Sequence, residues 1–155
     1  MKYLFLLFTL IFFWSVFSCT KTEDATPLTQ AEFDDSTIQA YITNHNLTAI
    51  KHNTGLYYHI KTSGTGANPK AMDSVAVHYK GFLTNGTSFD GTTTTPRTFL
   101  LGSLIPAWQI GIPLIKKGGE IDLYAPSHLG YGPNAVGPIP PNSVLIFNIQ
   151  LVNIK

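Results

Sequence analysis

The sequence predicts an α+β fold: a twisted antiparallel β-sheet of about five strands wrapped around one short central helix, with an extra N-terminal helix. Three observations carry this. Short runs of alternating apolar and polar residues recur from Leu56 onward, most cleanly at the end of the chain. Within that region only the segment near Pro106 spaces its apolar residues for a helix, and one further helical stripe precedes it. No internal repeat competes with this arrangement.

Taken in chain order, residues 1–18 read as a signal peptide outside the fold. Met1 and Lys2 make a minimal positive start, and Tyr3 to Phe17 is apolar except for Thr9 and Ser15, long enough for a secretory segment and short for a spanning helix. The segment ends Val16-Phe17-Ser18-Cys19, which resembles the lipobox of bacterial lipoproteins. That resemblance implies cleavage before Cys19, thioether lipidation of its sulfur and N-acylation, which place the protein in the cell envelope, anchored through lipid on the periplasmic face of the outer membrane or on the cell surface. An ordinary signal peptide with a chance cysteine at its end, or an uncleaved anchor, is the alternative. Cys19 is the only cysteine, so lipid attachment also accounts for an exported thiol without a disulfide partner. Lys21 followed by Glu23 and Asp24 faintly resembles a lipoprotein surface-export signal, although a solvated linker would look the same.

Residues 19–29 comprise the lipidated cysteine and a polar, flexible linker. Once Lys2 leaves, nine basic side chains of the original ten face nine acidic ones, with no Lys/Arg run, so electrostatics offers no reason to expect nucleic acid as a partner. Residues 30–53 form the N-terminal helical segment. Asp34, Asp35 or Ser36 can cap it, and Ile38, Tyr41 and Ile42 make a single apolar stripe. Such a helix is marginal alone and should dock on the domain or on a second copy; oligomeric state stays open.

The main domain spans residues 54–155. Leu56 to Ile60 reads as a strand and Ser63 to Gly66 as the loop that ends it. Ser74 to Tyr79 places Val75, Val77 and Tyr79 on one face, with Ala76 and His78 on the other. Asn85-Gly86 is a strong hairpin signal leading to a strand that carries Phe89. Thr98 to Leu101 and Glu120 to Ala125 are further short strands. In the last strand Leu145, Phe147, Ile149 and Leu151 face inward, and Ile146, Asn148, Gln150 and Val152 outward. Pro106 suits a first helical turn, Ile105, Trp108, Ile112 and Ile115 share a face, and Gly118-Gly119 ends the element. Pro113 lacks an N–H, so the helix should loosen before it.

Catalytic signatures are scarce. There is no Gly-x-Ser-x-Gly elbow, no P-loop, no glycine-rich dinucleotide turn and no closely spaced His/Cys set, so no cofactor or metal is expected. His78 and His128 read as solvated or locally hydrogen-bonded imidazoles. Asp90 directly follows an aromatic residue near a tight turn and can reach the hydroxyl of Tyr79 or Tyr131, where it would orient a phenol. The remaining signal is a concentration of aromatic residues suited to a non-covalent site for an apolar, ring-containing ligand.

Five blocks make that signal specific. Val77-His78-Tyr79-Lys80-Gly81, Asn85 to Asp90, Ile105-Pro106-Ala107-Trp108, Leu129-Gly130-Tyr131-Gly132 and Ile139 to Phe147 resemble, in order and nearly in spacing, the FK506-binding-protein family of peptidyl-prolyl cis/trans isomerases. The resemblance runs from about Gly55 to Lys155. It implies that Trp108 forms the floor of a proline pocket, that Tyr79, Phe89 and Phe147 form its walls, and that Leu104 and Ile105 lie at its rim. It further implies that the Ile105 N–H and the Tyr131 hydroxyl bond ligand carbonyls, that Asp90 sets the Tyr79 side, and that Ile139 sits on a loop overhanging the site. The implied partners are proline-containing polypeptides, FK506 or rapamycin, and a membrane held through the N-terminal lipid.

Two stretches depart from the family pattern. Gly91 to Thr98 is short and Thr-rich and lacks the arginine that commonly pairs with the site aspartate, while Arg97 falls near a position where many members carry an aromatic wall residue; Arg97 is expected to bend back onto Asp90. Pro133 to Pro138 replaces bulkier contacts with small residues and is expected to contribute little grip. The resemblance implies a prolyl isomerase assisting folding of exported envelope proteins, and the altered Gly91 to Thr98 wall keeps a non-catalytic proline-binding chaperone or adaptor in view. A purely structural envelope lipoprotein would leave the pocket unexplained. Helix and anchor contribute no pocket residue, so both are expected to be dispensable toward small peptides.

Overall fold

Strand parity builds the two faces of this molecule. The computed structural model describes residues 27–155; the leader, Cys19 and most of the linker lie outside the described residues. Strands β1 (Ile50–Lys51), β2 (Tyr57–Thr62), β3 (Ser74–Leu83), β4 (Ser88–Gly91), β5 (Arg97–Leu100), β6 (Glu120–Ala125) and β7 (Leu145–Ile154) form one antiparallel sheet in the order β1-β2-β6-β7-β3-β4, with β5 also paired to β3. The sheet has seven strands where about five were expected; β4 and β5 are the short strands expected around Phe89 and Thr98 to Leu101, and the two-residue β1 is too short for alternation to stand out.

Across the inner face run two rows of paired residues: Ile60, Ile121, Ile149 and Tyr79, then Tyr58, Leu123, Phe147 and Gly81. The central helix α2 (Pro106–Gly111) lies over this face and buries Ala107 and Trp108 against it. Pro106 supplies the first helical residue, where a missing N–H is harmless. At Ile112 the α-helix tightens into a 3₁₀ turn over Ile112–Leu114 that contains Pro113. The element therefore stops short of Gly118-Gly119, which instead shape the turn back into β6. Gly64 makes that return possible. It has φ +75°, and a Cβ there would lie 2.5 Å from the Lys116 carbonyl oxygen and 2.7 Å from the Gly119 nitrogen.

The outer face is apolar at one end and polar at the other. Tyr57, Tyr124, Ile146 and Phe82 form an apolar row, and helix α1 (Gln30–Asn44) covers it with Ile38, Tyr41 and Ile42. The helical stripe thus docks on the sheet itself. Ile146 points outward as its position demands, yet is only 3 % exposed because α1 lies over it. The cap also differs from expectation. Thr29, not Asp34, Asp35 or Ser36, caps α1: its hydroxyl accepts from the Glu32 N–H at 3.3 Å, while the Glu32 carboxylate accepts from the Thr29 N–H at 2.8 Å. The far end closes with Leu47 N–H to the Ile42 carbonyl, 2.9 Å, and Asn46 in the left-handed region at φ +52°.

Gly64→Ala should destabilise the protein by about 2–4 kcal/mol, since both left-handed strain and contact with backbone atoms oppose it. A urea midpoint equal to that of the parent would contradict this account of the turn.

Candidate active site

Tyr79 and Phe147 share the inner face because β3 and β7 pair there, and α2 delivers Trp108 between them. The rings meet edge to face: Tyr79 and Trp108 at 5.0 Å between centroids, Trp108 and Phe147 at 5.4 Å, Phe147 and Phe89 at 5.7 Å. Such geometry opposes the electropositive edge of one ring to the face of the next. Gly81 leaves the space Phe89 needs, since a Cβ at that position would lie 2.5 Å from the Phe89 ring. The result is a cavity of about 300 Å³ lined by Tyr79, Phe89, Asp90, Leu104, Ile105, Trp108, Tyr131, Ile139 and Phe147, all singled out from the sequence. A roomier groove of about 630 Å³ on the sheet's other side is lined chiefly by polar and charged side chains such as Lys61, Glu120, Asp122 and Gln150, and lacks an aromatic enclosure.

Four lining residues escaped the sequence reading. Phe99 stands 6.0 Å from Trp108 and 6.1 Å from Tyr79, completing the aromatic wall. Its signal was present: Phe99 pairs with Val75, whose inward face was clear, but a four-residue strand gave little register. Val136, Gly137 and Pro138 also line the cavity, although small residues in that loop suggested little contact. The loop is held over the site by reciprocal backbone bonds between Val136 and Ile139, at 3.0 and 2.9 Å.

A polar cluster fixes one wall. The Tyr79 hydroxyl donates to Asp90 Oδ2 at 2.5 Å, and Arg97 Nη1 donates to the Tyr79 oxygen at 2.9 Å and to Asp90 Oδ1 at 3.1 Å. Asp90 therefore pairs with Tyr79, not Tyr131. Arg97 bends back behind the wall and does not line the cavity. The Thr-rich segment is tied down as well: Thr92 Oγ1 accepts from the Tyr79 N–H at 3.1 Å, and its own N–H donates to the Tyr79 carbonyl at 2.9 Å. Burial, and then the bond to Asp90, push the Tyr79 phenol up to about 12. Burial acts on Asp90 as the largest single influence and raises it, but hydrogen bonds from Tyr79 and the Gly91 N–H together with the Arg97 charge outweigh burial and hold its carboxyl below the usual value.

Other donors at the cavity are free. Among the described residues, neither the Ile105 N–H nor the Tyr131 hydroxyl has an acceptor, and the buried Trp108 Nε1 has none either. Gln109 holds the approach to α2 by donating to the Leu104 carbonyl at 2.6 Å and the Gly102 carbonyl at 3.2 Å, which fixes the chain next to Ile105. His78 and His128 sit outside the cavity in local contacts with Thr92 and Thr54. No group of three metal-ligating side chains occurs among the described residues.

Residues 66–152 match a family model described as FKBP-type peptidyl-prolyl cis-trans isomerase. The chain is 44% identical over 104 residues to the FKBP-type peptidyl-prolyl cis-trans isomerase FkpA of Aeromonas hydrophila, an alignment covering 66% of this chain and 39% of that protein. It is 43% identical over 105 residues to the outer membrane protein MIP of Legionella longbeachae, covering 66% and 45%. The chain thus spans less than half the length of these curated relatives. The crystal structure of FkpA from Escherichia coli superposes with a TM-score of 0.72 at 38% identity, over 81% of this chain and 61% of that one.

Arg97→Ala should let the Asp90 carboxyl titrate at higher pH. Because the folded-state value is depressed, the stability Asp90 contributes is present above its unfolded value and is lost as pH falls through the folded one. Removing Arg97 raises that folded value, so the acid limb of the stability curve moves up in pH. A ¹³C titration of the Asp90 carboxyl checks this; an unmoved curve would leave Tyr79 and Gly91 as sufficient partners.

Proposed function

The chain belongs to the FKBP-type peptidyl-prolyl cis-trans isomerase family, and from that premise we propose that it catalyses rotation about Xaa-Pro bonds in exported envelope proteins without a covalent intermediate. The observation that carries this is the enclosed aromatic cavity with two unpaired donors, Ile105 N–H and Tyr131 hydroxyl, among its lining residues.

The chemistry follows from the lining. Rotation of an Xaa-Pro amide meets a barrier near 18–20 kcal/mol because the twisted state loses resonance, and uncatalysed it takes roughly tens to hundreds of seconds. A twisted amide is less dipolar, so a dry, apolar cavity favours it over the planar form. Trp108 forms the floor beneath the pyrrolidine ring, Tyr79, Phe89, Phe99 and Phe147 grip its sides, and Leu104, Ile105 and Ile139 close the rim. Ile105 N–H and Tyr131 donate to substrate carbonyls and hold the peptide in a turn-like pose that resembles the transition state. Asp90 and Arg97 keep the Tyr79 ring in place and need not transfer a proton. No nucleophile, metal or cofactor enters this mechanism. FK506 and rapamycin, whose binding gives the family its name and character, are expected to compete for the same cavity.

The envelope assignment rests on the sequence. The signal-like residues 1–18, lipidation of Cys19 and the linker to residue 29 would hold the isomerase domain at a membrane face, and the relative from Legionella longbeachae is named as an outer membrane protein. Among the described residues no helix is long and apolar enough to cross a membrane.

In a protease-coupled assay the protein should accelerate isomerisation of an Xaa-Pro peptide, FK506 should inhibit it, and Trp108→Ala should lower kcat/KM by about tenfold or more. No acceleration at high protein concentration, with FK506 still bound, would instead favour a proline-binding chaperone. Separately, Cys19→Ser should abolish incorporation of labelled palmitate and release the protein from membranes; retained label would remove Cys19 as the attachment point.

A further inference from the structure

Asp34 is the one fully buried acidic side chain of α1, and its partner is 93 positions away in sequence. Its Oδ2 accepts from both the Ser127 N–H at 2.7 Å and the Ser127 hydroxyl at 2.6 Å, while Oδ1 accepts from Gln30 Nε2 at 2.7 Å. Removing a carboxylate from water is costly, and three short hydrogen bonds offset it here, two of them converging from Ser127 so that breaking the pair would leave a buried charge unsatisfied. Ser127 opens the 3₁₀ turn Ser127–Leu129, and its carbonyl accepts from the Gly130 N–H at 2.9 Å and the Gly132 N–H at 2.8 Å. Those two glycines flank Tyr131. The Gly132 carbonyl then accepts from the Asn142 N–H at 2.7 Å, tying the same segment to the base of the overhanging loop.

We propose that Asp34 is a positioning residue for the Tyr131 hydroxyl: it clamps Ser127, Ser127 clamps the backbone on both sides of Tyr131, and helix α1 thereby sets the geometry of a rim donor. This rests on the reading of Tyr131 as a donor to the substrate. It also revises the expectation that the helix is dispensable toward small peptides. Ile38, Tyr41 and Ile42 fix α1 to the sheet, so the clamp reaches the loop from a rigid element.

A double-mutant cycle in the full chain, solubilised in mild detergent, tests the link. Asp34→Ala should lower kcat/KM for an Xaa-Pro peptide about fivefold when Tyr131 is present, and less than about twofold in a Tyr131→Phe background, because the donor it positions is then gone. Asp34→Asn, which keeps an acceptor oxygen, should recover most of the loss. Ile115→Val trims a buried core side chain outside both α1 and the cavity lining, and should leave kcat/KM within about twofold of the parent at temperatures where it is folded. Hydrogen exchange reads the clamp with no ligand: the Gly130 and Gly132 amides should exchange about tenfold faster in Asp34→Ala and not in Ile115→Val. Should Asp34→Ala fail to fold, Ser127→Ala carries the same cycle. Equal losses in both Tyr131 backgrounds, or unchanged exchange at the two glycines, would overturn the proposal. If the parent protein itself shows no acceleration, the isomerase reading fails and the exchange result alone decides the role of Asp34.

Discussion

The register between β3 and β7 is the constraint on which the rest depends. These strands pair along nine positions, from Val75 opposite Ile154 to Leu83 opposite Leu145. Side chains alternate with a period of two, so a slip of one residue on either strand would send its inward set to the other face. Tyr79 would then leave the cavity if β3 slipped, and Phe147 if β7 did. The register is held because both faces are specified. Leu145 and Phe147 belong to the core under α2, while Ile146 between them belongs to the cluster under α1. Docking the N-terminal helix therefore does more than bury a stripe: it makes the wrong register expensive on the second face as well.

What could be read from the sequence follows from this distinction between local pattern and distant pairing. The inward sets of β3 and β7, the helical face that carries Trp108 and the tightening of the helix at Pro113 each arise from residues close together in sequence, and the structure places each as the pattern requires. Phe99 was not legible because its strand is short and its partners, Tyr79 and Trp108, come from elsewhere in the chain. Asp34 misled for the same reason. Near a helix start an aspartate looks like a cap, but Thr29 with Glu32 fills that role and leaves Asp34 free to face Ser127. The outward position of Ile146 gave no sign of its burial, because the row Tyr57, Tyr124, Ile146 and Phe82 forms across four strands. Arg97 lay between the two kinds: its bend onto Asp90 was expected from charge, and the added bond to the Tyr79 oxygen required the fold.

The two tyrosines of the cavity show how environment divides one residue type into two roles. Tyr79 donates to Asp90 and accepts from Arg97, and it is only 5 % exposed, so its single O–H is not available to donate to a ligand and its ring serves as a rigid wall. Tyr131 is half-buried on a loop and its hydroxyl has no partner among the described residues. A hydroxyl that is not fully buried can bond water until a ligand supplies the acceptor, so it reaches the ligand-free state without the penalty of a buried unsatisfied donor. Ile105 N–H likewise has no protein acceptor at the rim among the described residues. A donor that is to act in this way must also be held, since a hydroxyl free to swing would lose its advantage to the entropy of ordering it. The cavity therefore needs a satisfied, immobile wall on one side and an unsatisfied but fixed donor on the other, and the fixing has to come from groups that do not themselves occupy the donor. For Tyr79 that wall is made by Asp90 and Arg97 at the hydroxyl; for Tyr131 only the backbone remains available, which is where the Ser127 turn and the buried carboxylate of α1 make their contacts.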